Sequence, residues 1–238
     1  MAIETWKVDD IEFTIERKPR QKHLYIKFDP QTAAIHVSAP KHMARSVILA
    51  FVRSKSATLK ERQAQAYRRL KAAPKLVTGD TVPLWGEEKT LVIEETESNK
   101  ASYAFEGDTL TLTLNRNEND KESKMSLLRA WYKEELYKKL PELTRTCEAK
   151  TGLQATSYRV RDMKTRWGSC THKTGRIRLA TKLAMYPEAC LTYVIIHELV
   201  HLVEPNHGPG FYKRLETYLP EWKKYRAMLQ AGQPFHLN

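Results

Sequence analysis

The chain has little that would tie it to a membrane, a secretory route or a disulfide scaffold. Its longest uninterrupted apolar run, Val47 to Val52, is six residues long, against the roughly 20 that a bilayer-spanning helix needs. The opening MAIETWKVDDIEF has no basic start followed by an apolar stretch, so no signal peptide is expected. Three cysteines in 238 residues, Cys147, Cys170 and Cys190, are odd in number, widely spaced and without a CxxC pair. That pattern excludes a disulfide framework and leaves each as a structural thiol, with a reducing cytoplasm as the expected setting. There is no internal repeat, no low-complexity tract and no recognised nucleic-acid-binding motif.

What is present is enough apolar material, 41% of the residues, for one large domain or two small ones. The net charge of +12 is unevenly spread. Residues 1–16 carry one basic and five acidic side chains, and residues 17–79 carry fifteen and two. Residues 80–120 carry three and ten, and residues 121–238 carry twenty-one and eleven. Basic blocks of this strength are compatible with a polyanion such as nucleic acid, but a solvated basic face explains them as well.

The pattern of apolar residues and breakers predicts an α+β chain. Strands are expected at 11–17, 23–28 and 34–37, followed by a long helix over 44–71 that is apolar at its start and basic at its end. Strands resume at 81–85, 89–94, 102–105 and 109–114, with turns at Gly86 and Gly107-Asp108. The polar run 115–120 reads as a linker, which divides the chain into an N-terminal region of antiparallel strands with a long helix (1–120) and a C-terminal domain (121–238). In the second part a helix is expected over 122–139, another begins at Pro141 and ends at Gly152, and strands follow at 154–161 and 177–180. Between those strands lies the tight segment MKTRWGSC, residues 163–170.

The segment HELVHLVEPNH, residues 197–207, carries the chemistry. His197 and His201 are four apart, so on a helix they share a face and reach one cation. Glu198 neighbours the first ligand without being needed as one, and can take a proton from a metal-bound water. The surrounding Leu191, Tyr193, Val194, Ile195, Ile196, Leu199 and Val200 make the helix apolar nearly all round, hence buried. A buried His-Glu-His cluster without a metal or other partner would be costly. Pro205 disfavours helical geometry at Glu204, so the chain turns and presents His207 from a loop before a second helix that begins near Gly210 and ends before Pro220. Glu204, seven residues past His197 on the same helix face, and Glu216, on the next helix, compete with His207 as third ligand.

MKTRWGSC (163–170), IRLATKL (177–183) and YVIIHELVHLVEPNHGPGFY (193–212), with the weaker VSAPKHM (37–43) and GDTVPLWGEEKTLVIEE (79–95), resemble the YgjP-like metallopeptidase family, predicted zinc-dependent hydrolases more distantly similar to SprT-like and WLM metalloproteases. The resemblance covers nearly the whole chain. It implies a zincin-like unit with a small sheet beside the HExxH helix. It also implies that His197, His201 and His207 are the zinc ligands, that Glu198 is the catalytic acid/base, and that Phe211 packs beneath the site. Thr192 and Thr58 depart from the family pattern, in which an acidic residue and an aromatic residue, respectively, are common.

The leading expectation is therefore a zinc-dependent metallopeptidase that hydrolyses peptide or protein substrates. Arg166 is a candidate for stabilising the oxyanion and Trp167 for a substrate contact or cleft wall. Two other readings keep the metal. One is hydrolysis of a non-peptide amide or another small molecule. The other is a nucleic-acid-associated module whose zinc is structural, with no open coordination position.

Overall fold

The structure, a computed structural model, describes residues 3–29, 32–72 and 75–231. The chain divides into two compact units, Met1–Ala73 and Pro74–Asn238.

In the first unit, β1 (Ile3–Val8), β2 (Ile11–Lys18), β3 (Tyr25–Phe28) and β4 (Ile35–Pro40) form one sheet in the order β1-β2-β4-β3. Alternation decides which face is buried. Ile11, Phe13 and Ile15 of β2 and Ile35, Val37 and Ala39 of β4 turn inward, while the residues between them face solvent. The outer pairs are antiparallel as expected, but the central pair β2/β4 is parallel, so the sheet is mixed. A β1 strand was not expected. The helix predicted over 44–71 is two helices, α1 (Arg45–Ser54) and α2 (Ser56–Ala72), broken at Lys55 with φ −105° and ψ 5°. Ile48, Val52 and Leu59 cover the sheet. They would share a face of an unbroken helix too, so the apolar spacing conceals the break.

The second unit repeats that strand order. β5 (Thr81–Leu84), β6 (Glu87–Thr96), β7 (Ser102–Glu106) and β8 (Thr109–Asn115) pair as β5-β6-β8-β7, again with a parallel centre. The inward Val82, Leu84, Leu91, Leu110, Leu112 and Leu114 belong to the same apolar core as Trp131 and Tyr132 of the next helix, α3 (Lys121–Thr151). The division of the chain thus falls at 73/74 rather than at the predicted 120/121. The polar run read as a linker consists of caps. Asn115 accepts the N–H of Asn117, and Asp120 accepts the N–H of Ser123 at 2.9 Å to start α3.

α3 also runs through Pro141, where two helices were predicted. Proline deletes one backbone donor and crowds the preceding turn. The helix persists because its apolar face does, from Leu128 and Leu136 through Leu140 to Cys147, all buried. Gly152, at φ 68°, ends it in the left-handed region that glycine adopts without strain.

Three short strands follow: β9 (Ser157–Arg161), β10 (Gly168–Thr171) and β11 (Arg176–Ala180), in the order β10-β11-β9, which leaves β10 as a free edge. α4 (Glu188–Val200), α5 (Pro209–Tyr218) and α6 (Trp222–Gln230) complete the unit. The start of α4 is clamped by the β5–β6 turn. The Trp85 N–H donates to the Ala184 carbonyl at 2.7 Å, and a Cβ on Gly86 would lie 2.7 Å from Cγ of Pro187, the residue before α4. Among the described residues no helix is long and apolar enough to cross a membrane.

Candidate metal and active site

α4 carries His197 and Glu198 in its last turn and ends at Val200. His201 follows as the capping residue and still has helical dihedrals, φ −64° and ψ −12°. The spacing of one turn between the two histidines therefore survives although the regular helix has stopped. The loop before α5 then brings His207 back to them.

The three rings converge. Nε2 of His207 lies 3.1 Å from Nε2 of His201 and 3.1 Å from Nε2 of His197. One ligand atom from each residue fits within a 4.8 Å spread, and among the described residues this is the one such cluster of histidine, cysteine or acidic groups. Tetrahedral ligands held at about 2.0–2.1 Å from zinc stand about 3.3 Å apart, so the donor set fits a cation of that size. Neither rival carboxylate joins it. Glu204 pairs with Arg214 at 3.3 Å, and Glu216 accepts the indole N–H of Trp222. Glu204 contributes differently: its backbone carbonyl accepts from Nδ1 of His201 at 3.0 Å, which leaves Nε2 of that ring free to face the cluster. The Nδ1 of His197 is buried and has no hydrogen-bond partner.

The electrostatics favour the neutral form of His197 and His207. Burial, reinforced by His201, His207 and Arg226, pushes His197 down to about 3. Burial also lowers His207, with His201 and Arg226 acting the same way. A neutral imidazole is the form that ligates metal. Phe211, fully buried at the start of α5, supports all three rings, with centroids 4.9 Å from His197, 4.7 Å from His201 and 4.6 Å from His207.

Glu198 points from α4 towards β10. It is 5% exposed. Burial pushes its carboxyl up to about 8, opposed by the backbone N–H of Cys170 and by the charge of Arg166. Glycine at 168 is what permits the approach, since a Cβ there would lie 2.6 Å from Glu198 Oε1 and 2.9 Å from Val194 Cγ1. The sequence marks the RWGSC segment as a strand edge, but not the support that Gly168 and the Cys170 N–H give Glu198. The available signal was a glycine inside a short run flanked by a tryptophan, which marks close approach of backbone to another group.

A cleft of about 560 Å³ lies between α4 and β10, lined by the three histidines, Glu198, Tyr193 and residues 166–170. Both residues flagged as substrate contacts border it. The Trp167 ring packs edge-on against Tyr186 at 5.1 Å and beneath the Lys182 ammonium at 4.4 Å. That makes it a fixed wall. Arg166 is exposed and unpaired among the described residues, and its charge acts on Glu198. Thr192 spends its hydroxyl on the Glu188 carbonyl, 3.3 Å away.

Two solved structures are similar in part. The crystal structure of the metallopeptidase zymogen of Pyrococcus abyssi abylysin is 25% identical, with 41% of this chain and 99% of that one covered at a TM-score of 0.36. The metallopeptidase zymogen of Methanocaldococcus jannaschii jannalysin is 23% identical, with 38% and 93% covered at 0.35. No match was found among curated proteins. The family model of the YgjP-like metallopeptidase domain matches residues 22–231, a span that holds the histidine cluster, Glu198 and the strand that supports it. The chain belongs to the YgjP-like metallopeptidase family.

Proposed function

We propose that the chain is a zinc-dependent peptidase in which His197, His201 and His207 hold the ion and Glu198 is the general base. The convergence of three ring nitrogens at 3.1 Å, beside a buried carboxylate, carries this reading. Three imidazole donors suit zinc, and among the described residues no fourth protein donor joins them. A bound zinc ion would supply Lewis acidity, lowering the pKa of a water towards about 7 and polarising a carbonyl oxygen.

The remaining work falls to the chain. Glu198 takes the proton of the attacking water and returns it to the leaving amine. Burial raises this carboxyl in the metal-free chain, and the Cys170 N–H and the Arg166 charge oppose that rise by favouring the carboxylate that accepts the proton. An extended substrate lies along the free edge of β10, where its backbone pairs with the strand. Arg166 faces the cleft and favours negative charge as it develops on the carbonyl oxygen. Trp167 and Tyr193 wall off water.

An open cleft along a strand edge supports an extended peptide over a compact small molecule. Donors from three residues alone support a catalytic rather than a purely structural metal. The test is metal analysis of purified protein with a peptide-cleavage screen of wild type against Glu198→Gln. Both proteins should carry one zinc per chain. Hydrolysis should fall by about 10²–10⁴ in the variant. Undiminished turnover there removes the general-base role, and a metal-free wild type removes the zinc.

A further inference from the structure

The outer face of the small sheet is a grid of arginines. Arg159 of β9 stands directly opposite Arg178 of β11, with Arg161 two residues after the first and Arg176 two residues before the second, at opposite ends of the parallel pair. All four are exposed, and none forms an ion pair among the described residues. Like charges directly opposed on neighbouring strands are destabilising. The opposite face of the same strands is ordinary core, with Val160, Ile177 and Leu179 buried.

The third strand shows where this charge is aimed. On β10 the outward residues are Ser169, paired with Arg178, and Thr171, paired with Arg176. Both are short, so nothing on β10 screens the arginines from the free edge. The Arg178 guanidinium already leans that way, donating from Nη1 to Thr171 Oγ1 at 3.2 Å. Arg159 behind it repels it in the same direction. Beyond Ser169 lies the cleft that it helps to line.

The backbone of β10 leaves that edge open except at the Cys170 N–H, which Glu198 accepts. Ala180 N–H donates to the Trp167 carbonyl at 2.9 Å. Pairing alternates along an antiparallel ladder, so Ser169 and Thr171 turn their backbone groups to β11, whereas Gly168 and Cys170 turn theirs to the edge. A strand added there would have the residue opposite Ser169 projecting onto the arginine face, one strand spacing of about 4.8 Å beyond β10.

We propose that Arg178, backed by Arg159 and Arg176, selects substrates that carry an aspartate or glutamate on the residue paired with Ser169. This rests on the peptidase reading and names its substrate class: acidic extended peptides. The arginines touch a substrate side chain rather than the scissile bond, so they set specificity and not chemistry.

The test uses zinc-loaded full-length protein and quenched fluorogenic peptides that differ only by Glu or Gln, moved one position at a time through the three residues on either side of the cleaved bond. In the wild type one position, or two positions two residues apart, should favour Glu about threefold to fivefold in kcat/KM, the size of an exposed arginine–carboxylate pair. Arg178→Ser should bring the ratio to about one, and Arg178→Glu should turn it in favour of Lys at the same position. Arg161→Ser removes the same charge from a position opposite Ala180, away from β10, and should leave the ratio in place. A second readout is fluorescence anisotropy of labelled Glu and Gln peptides on Glu198→Gln protein, where the same ratio should appear in Kd. Cleavage with no preference for Glu at any position overturns the proposal while the peptidase stands. An equal effect of Arg161→Ser overturns it as well, by showing a general charge effect. A wild type that binds zinc but cleaves none of these peptides takes the peptidase reading down with this one.

Discussion

A methyl group on Gly168 would stand 2.6 Å from Oε1 of Glu198, closer than packing allows. The edge strand β10 and α4 are therefore fitted to each other at the carboxylate. Gly168→Ala should displace either β10 or the Glu198 side chain and weaken the hydrogen bond from the Cys170 N–H. Overpacking of this kind costs about 1–3 kcal/mol, and misplacing the base by a fraction of an ångström should lower kcat on the order of tenfold to a hundredfold. Metal content should not change. Wild-type kcat in the alanine variant would show that the close approach is irrelevant to turnover.

Phe211 is the shared floor of the three histidine rings, with centroids between 4.6 and 4.9 Å away. Phe211→Ala should cost about 3–5 kcal/mol as a core cavity. Phe211→Leu keeps most of the volume but leaves the rings less restrained, and its zinc affinity should fall roughly tenfold. Competition with a chromophoric chelator measures that. A Leu variant with unaltered affinity and a lower Tm would leave Phe211 with packing alone.

His207 is exposed on a loop, whereas His197 is half-buried on α4. His207→Ala should therefore fold normally when metal-free and fail only in its response to zinc. Zinc at a hundred times its Kd adds about 2.7 kcal/mol to the wild type, read as a rise in Tm that EDTA reverses. That rise should be small or lost in the variant. A full Tm gain in His207→Ala would assign the third ligand elsewhere.

The metal-free protein should lose stability on both sides of a middle pH range. His197 is held down to about 3 from 6.5, so below pH 6.5 the unfolded chain binds a proton that the folded chain refuses, and stability falls as pH falls. Glu198 is held up at about 8 from 4.5, so the folded chain keeps a proton that the unfolded chain gives up, and stability falls as pH rises from 4.5 to 8. Glu198→Gln removes only the second effect. In EDTA the variant should be more stable than wild type at pH 8, on the order of 1–3 kcal/mol, and equal to it at pH 4. Thermal melts of both proteins across pH decide it, and a variant no more stable at pH 8 contradicts a buried, proton-holding Glu198.

The histidine cluster was legible because its information is local. Eleven consecutive residues, 197–207, contain all three rings and the carboxylate, and helix geometry with one proline turn suffices to bring them together. The settings of that cluster were not legible. Cys170 lends Glu198 an N–H from a strand 28 positions earlier, and no local pattern ties that strand to the carboxylate. The division of the chain was misplaced for the same reason. The apolar alternation of 81–115 identifies strands, yet which helix covers them is decided by packing against Trp131 and Tyr132. Polarity at 115–120 reads equally well as a spacer or as a pair of caps until the N–H groups that they accept are in view. Pro141 misled in the other direction, because a continuous buried face outweighed one lost donor.

The turn at Trp85 and Gly86 holds the residues that launch α4, and His197, Glu198 and His201 stand at the other end of that 13-residue rod. Such a rod is about 20 Å long, so tilting its root by about 3° swings its tip by on the order of 1 Å. The hairpin is placed as a lever on the histidine cluster: whatever grips or loosens its tip should shift His197, Glu198 and His201 together.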